Sequence, residues 1–181
     1  MSKEIDKQLN EIEVNDTMEK IKTMLETMDE IYFKNLVWLK KFDNELYKIV
    51  KKTEKKILNN KSKEKYAIEL NKEAALDIIN RKKKTFMYKC EPFIYGDNKV
   101  KEIKKSKKIA FLGTGLGTHI TSIVKELKPK KILVSEKDIQ IFRCSLFVTD
   151  YESICDISKI KFSIGEKCDR SKYDEIVKLD F

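Results

Sequence analysis

The chain has 181 residues, enough for one domain with a real core or for one domain plus a helical appendage. Apolar residues make up 41% and charged residues 38%, which is more polar than an average globular chain but not a disordered composition. No window approaches the roughly 18 consecutive apolar residues of a membrane span, and the start is charged from Lys3, so neither a spanning protein nor a secreted precursor is expected.

Thirty-nine basic and thirty acidic residues leave a net charge of +9, unevenly spread. Residues 1–30 carry −5, residues 31–65 carry +7, residues 66–108 carry +6 and residues 109–181 carry +1. Only three of the thirty-nine cations are arginine, whereas phosphate and base recognition favours the bidentate guanidinium. A solvated lysine surface is therefore expected, with nucleic acid disfavoured as a partner and a polyanion-binding module as an alternative. Cys90, Cys144, Cys155 and Cys168 show no C-x-x-C or Cys/His spacing, and His119 is the only histidine. That spacing predicts no zinc site and no disulfide scaffold, but reduced thiols in a cytoplasmic protein.

In chain order, Ile5, Leu9 and Ile12 recur at helical spacing, and Met18, Ile21, Leu25, Met28 and Tyr32 repeat the pattern after Asn15. Asp16 with Glu19 reads as a capping pair for a new helix, and Asp43 as the cap of another. Two or three helices are thus expected over residues 3–55. Their methionine-rich stripe reads as packing, with a homo-oligomer contact through the N-terminal helices as the alternative. The period then changes to a meander of short strands: Tyr66–Leu70, Ala75–Asn80, a basic turn at Arg81–Lys84, and Thr85–Tyr88. Pro92 and Gly96 are expected to break the chain, and Lys99–Lys108 to form a solvated connection or short helix.

From about residue 107 the pattern is β-α-β-α-β. Ile109–Leu112 reads as a strand buried on both faces, followed by a glycine turn and a helix bearing Ile120, Ile123, Val124 and Leu127. Pro129 ends that helix, Ile132–Val134 forms the next strand, Asp138 caps a helix, and Ile160–Ile164 is a third strand. Such an order predicts an α/β fold with a Rossmann-like, partly parallel sheet. The expected organisation is a helical segment over 1–60, a β-meander and basic connection over 61–106, and a Rossmann-like unit over 107–181 that is cut short at its C-terminal end.

The turn Gly113-Thr114-Gly115-Leu116-Gly117 sits where a strand hands over to a helix. Glycines there permit positive φ and close approach of a ligand, and the following helix presents free amides. Thr118 stands where a dinucleotide fingerprint needs its third glycine, so the spacing is nearer the first motif of class I methyltransferases. Glu136, at the end of the second strand, is placed to meet a ribose hydroxyl, and Glu166 is expected at the same edge. Gly113, Gly115, Gly117 and Glu136 are the candidate cofactor-binding set, though the same residues also suit a tight, ligand-free turn. The residues do not identify a cofactor. His119 could serve as a base but reads better as structural, and Arg143 is expected to pair with Glu136 or Asp150.

Asn35-Leu36 and Phe42-Asp43, the meander ending in Tyr88, Phe111 through His119, Val134-Ser135-Glu136 and Phe142 through Tyr151 together resemble the amino-terminal region of the motility accessory factor (Maf) proteins. These are flagellin glycosyltransferases of polarly flagellated bacteria, in which a CMP-activated nonulosonic acid is the donor and serine or threonine the acceptor. The resemblance spans roughly residues 30–170. It implies a non-catalytic N-terminal domain serving folding, assembly or flagellin docking, with CMP-activated sugar used only by the full-length protein. No catalytic residue carries over to this stretch. The rival enzyme reading is a small S-adenosylmethionine-dependent methyltransferase, but the chain has no acidic or asparagine residue followed by prolines after a fourth strand.

Overall fold

The computed structural model describes residues 2–88 and 91–165, with the side chains of residues 2–16 and 92–93 outside that description. Cys90, Cys168 and Glu166 therefore lie outside the described residues, as does the end of the 107–181 unit.

Helix α1 (Ser2–Phe42) is continuous, so the expected break at Asn15-Asp16 does not occur. The apolar repeat explains why. Steps of four and three through Met18, Ile21, Leu25, Met28, Tyr32, Asn35 and Leu39 keep one seam facing one way, and no glycine or proline interrupts it. Asp43 does cap α2 (Asn44–Asn59), its carboxylate accepting from the Leu46 amide at 2.9 Å. The meander forms as expected, with β1 (Tyr66–Leu70), β2 (Leu76–Asn80) and β3 (Thr85–Phe86) in antiparallel order.

Helix α3 (Pro92–Glu102) runs straight through the expected break. Pro92 opens it, where its missing N–H costs nothing. Gly96 lies in its interior because α4 (Thr118–Leu127) packs there: a Cβ would stand 3.0 Å from Ser122 Oγ and 3.1 Å from the His119 backbone. The glycine is a close-approach residue, not a breaker.

Strands β4 (Lys108–Leu112), β5 (Lys131–Glu136) and β6 (Lys159–Ile164) form a parallel sheet in the order β4-β5-β6, joined by α4 and by α5 (Ile139–Ser145) with α6 (Tyr151–Ile157). Cross-strand rows Ile109–Ile132–Ile160 and Phe111–Val134–Phe162 belong to one apolar cluster. Tyr32, Leu39, Leu46 and Val50 of α1 and α2 join it, so the helical segment and the sheet share a core. Of the described strands in this sheet, only the central β5 is buried along both faces. Strand β4 buries Phe111 but leaves Leu112 71% exposed, which corrects the two-faced burial expected for it. Among the described residues β4 ends the sheet, and its Ala110–Leu112 row lacks the covering that β5 receives. The fold is thus α/β with a parallel Rossmann-like sheet, a small antiparallel sheet and N-terminal helices. No described helix is long and apolar enough to cross a membrane.

Candidate functional site

Gly113, Gly115 and Gly117 all take positive φ (92°, 50° and 82°), which lets the chain leave β4 and enter α4 within five residues. The space such a turn usually offers to a ligand is filled from within the chain. The hydroxyl of Tyr88 accepts the Leu116 amide at 2.8 Å, and a Cβ on Gly115 would stand only 2.1 Å from that oxygen. On the other side the Thr149 hydroxyl donates to the Leu116 carbonyl at 2.8 Å, 2.2 Å from where a Gly117 Cβ would be. Burial pushes the Tyr88 hydroxyl up to about 12, so the group bonding Leu116 is a neutral phenol.

Glu136 does stand at the end of β5 beside the turn, and it is buried. Its carboxylate accepts the Thr114 amide at 2.9 Å and hydroxyl at 3.2 Å through one oxygen, and the Asp138 amide at 2.9 Å through the other. The sequence places Glu136 correctly at the edge; the structure uses it to tie the turn to the start of α5. The Gly113 amide bonds the Ser135 carbonyl and the Gly117 amide the Thr114 carbonyl, both at 2.7 Å. Four of the five turn amides therefore have partners inside the chain.

His119 lies behind the turn, edge-on to Phe111 and Tyr95 at centroid distances of 5.8 Å and 6.1 Å. Burial, helped by Lys99, lowers its pKa to about 4 against a hydrogen bond to the Gly113 backbone, so it is neutral at physiological pH. Its Nδ1 has no hydrogen-bond partner. Among the described residues its ring neighbours are Phe111 and Tyr95, against which it packs as an aromatic residue.

Arg143 pairs with neither Glu136 nor Asp150. Its guanidinium lies over the rings of Phe147 and Tyr32, 5.2 Å and 5.8 Å from their centroids, and those rings stack at 3.9 Å. Asp150 is instead paired with Lys34 at 2.8 Å. The Tyr32 hydroxyl donates to Glu54 at 3.1 Å, linking α1 to α2, while Arg143 over the Tyr32 ring brings in α5.

The sequence reading misses the role of two positioning residues. Asn35, fully buried, donates to the carbonyls of Leu146 (2.7 Å) and Thr149 (2.8 Å) and accepts from the Tyr151 amide (3.1 Å). Gln140 accepts from the Lys65 amide at 2.7 Å and donates to the Lys63 carbonyl at 2.9 Å, fastening the entry of β1 to α5. Asn35 holds the corner that supplies Thr149 to the glycine turn. Its place in the apolar seam is the only hint that it is buried. Among the described residues no group of His, Cys, Asp and Glu could hold a metal ion.

A family model described as the glycosyltransferase Maf N-terminal domain matches residues 98–168, which take in the turn, the parallel sheet and the α5–α6 corner. A solved structure described as the Maf glycosyltransferase from Magnetospirillum magneticum AMB-1 is similar in fold, with a TM-score of 0.63 at 12% identity. The similarity covers 83% of this chain but 29% of that one. No curated protein matches. The chain therefore resembles the N-terminal region of Maf proteins in both sequence pattern and fold.

Proposed function

We propose that the chain is a non-catalytic N-terminal domain of a Maf-type flagellin glycosyltransferase. It supports folding, assembly or flagellin docking, while a longer polypeptide transfers nonulosonic acid from a CMP donor to serine or threonine. The observation that carries this reading is the filled glycine turn, set in a segment that resembles the Maf N-terminal domain. A nucleotide would have to displace the Tyr88 hydroxyl from Leu116 and compete with three internal hydrogen bonds on Glu136. Gly113, Gly115, Gly117 and Glu136 are assigned to building the joint between β4, α4 and α5 rather than to holding a cofactor.

The test mixes this chain with CMP-activated nonulosonic acid and unmodified flagellin and reads intact mass. No transfer is expected, and flagellin retained by the immobilised chain would support docking. Turnover by the chain alone overturns the non-catalytic reading. Calorimetry with S-adenosylmethionine, CMP and NAD is expected to give no heat of binding. A micromolar constant for the first, lost on Gly115→Asp, would instead favour the methyltransferase reading.

A further inference from the structure

Helix α1 outruns the body that covers it. Its seam is buried at Met28, Tyr32, Asn35 and Leu39, where α2 returns alongside with Glu54 bonded to Tyr32. Before Met28 the same seam opens: Leu25 is 51% and Met18 63% exposed, with Ile21 half-buried between them. The helical backbone from Ser2 to Thr27, 26 residues, makes an arm about 39 Å long at 1.5 Å per residue, and its side chains from Thr17 to Thr27 are mostly exposed. An isolated helix without tertiary packing is marginal in water, so such an arm calls for a surface to lie on.

The charge says which surface. Residues 2–27 hold seven acidic and four basic residues, a net of −3. Within the described part of the arm Glu19 and Lys20 are exposed without an ion pair among the described residues and Lys22 pairs with Glu26 at 3.9 Å, while Asp29 and Glu30 stand exposed just past the arm. The outer face of α2 is the opposite in sign. Lys52, Lys55 and Lys56 are exposed and unpaired among the described residues, with Ile49 and Leu58 exposed beside them, Leu58 by 70%. That face adjoins a cleft of about 420 Å³ between the end of α2, Lys61–Lys63 and the start of α5. Its walls carry Lys56 and Lys63, and Ile139 supplies apolar surface beside the buried Ile57. An acidic amphipathic helix is complementary to it, its carboxylates meeting lysines while an apolar side chain of the Met18–Leu25 row enters the cleft.

We propose that this helix is the α1 arm of a second copy of the chain. Each arm lies on the other copy's α2 face, giving a twofold dimer with two equivalent contacts. Two arms paired with each other would place net −3 beside net −3, whereas the arm-on-α2 arrangement sets acid against base. The proposal is independent of the flagellin reading, because self-association is measured without flagellin or sugar; either can fail while the other stands.

Sedimentation velocity of the full 181-residue chain tests it. A dimer is expected at an ionic strength of about 0.05 M, weakening at least tenfold by about 0.5 M, where the Debye length falls to a few ångströms. Lys52→Glu/Lys56→Glu/Lys63→Glu should abolish the dimer, as should Glu19→Lys/Glu26→Lys/Asp29→Lys. Mixing the two charge-swapped variants should restore association, since both contacts then regain opposite charge. Circular dichroism spectra and melting curves matching the parent chain show that the variants fold. A monomer at about 100 µM in low salt, well above the Kd range of a specific interface, overturns the proposal. So does a dimer that survives high salt and is indifferent to the lysine substitutions, the behaviour of an arm-to-arm coiled coil.

Discussion

The side-chain amide of Asn35, near the C-terminal end of α1, accepts the backbone amide of Tyr151 at 3.1 Å, and its nitrogen reaches the Leu146 and Thr149 carbonyls. One buried side chain thereby satisfies three backbone groups at the corner between α5 and α6, 111 to 116 residues away in sequence. Thr149, held in that corner, reaches the glycine turn through Leu116.

Asn35→Leu should therefore destabilise the fold by about 3 kcal/mol, since three buried backbone groups lose their partner at once. Asn35→Asp should cost at least as much, because a carboxylate faces two carbonyls that need a donor. Urea unfolding followed by tryptophan fluorescence measures both, as Trp38 stacks 6.5 Å from Tyr151 beside this corner. An unchanged midpoint for Asn35→Leu would remove the corner from the account.

Gly115→Ala is expected to cost about 2–3 kcal/mol, through its positive φ and through collision with the Tyr88 hydroxyl. Tyr88→Phe alone should cost about 1–2 kcal/mol by orphaning the Leu116 amide. It should also recover part of the Gly115→Ala loss, because the oxygen that blocks the new methyl group is gone. A double-mutant cycle on denaturation free energies reads that coupling directly. Strict additivity would mean that Tyr88 does not fill the turn in solution.

The buried histidine gives a sign for acid sensitivity. His119 has a folded pKa of about 4, below its ordinary value of about 6.5, so the folded state binds the proton less readily than the unfolded chain. Its contribution is fully present above about pH 6.5 and is lost as pH falls from there through about 4, amounting to ~3 kcal/mol. His119→Gln should flatten the slope of unfolding free energy between pH 6.5 and 4 while leaving the slope above pH 7 unchanged. An equal slope in parent and variant across that window would assign acid sensitivity elsewhere.

Thiol chemistry should separate the two described cysteines from ordinary surface thiols. Burial pushes Cys144 up to about 12 and Cys155 up to about 11, leaving little thiolate at neutral pH. Mass-resolved alkylation at pH 8 should modify neither quickly in the native state, and both on unfolding. Rapid native labelling of Cys144, which is 1% exposed, would show that the packing between α5 and β1 opens readily.

The sheet and its crossovers were legible because short apolar runs, a glycine turn and the capping Asp138 are local signals. Asp43 and the meander were legible for the same reason. Other features depend on neighbours that no local window contains. Pro92 and Gly96 look like breakers until α4 is seen packed against Gly96. Asp16 and Glu19 resemble a cap, but the unbroken seam of α1 outweighs it. Charge alone points Arg143 to carboxylates, whereas a stacked Tyr32–Phe147 pair from two distant segments offers it a better-packed partner. Glu136 was placed at the right edge, but its chemistry depended on which amides the turn left within its reach.

Gln140 holds the first residues of β1 against α5, and Tyr88, just after β3, plugs the bend after β4. The hairpin sheet is thus stitched to the parallel sheet at both its entrance and its exit. Cutting the polypeptide anywhere between these stitches leaves two pieces with complementary unfilled sockets, not two modules. Such pieces should recombine when mixed, and evolutionary trimming of the hairpin should be tolerated only where the bend after β4 is rebuilt at the same time.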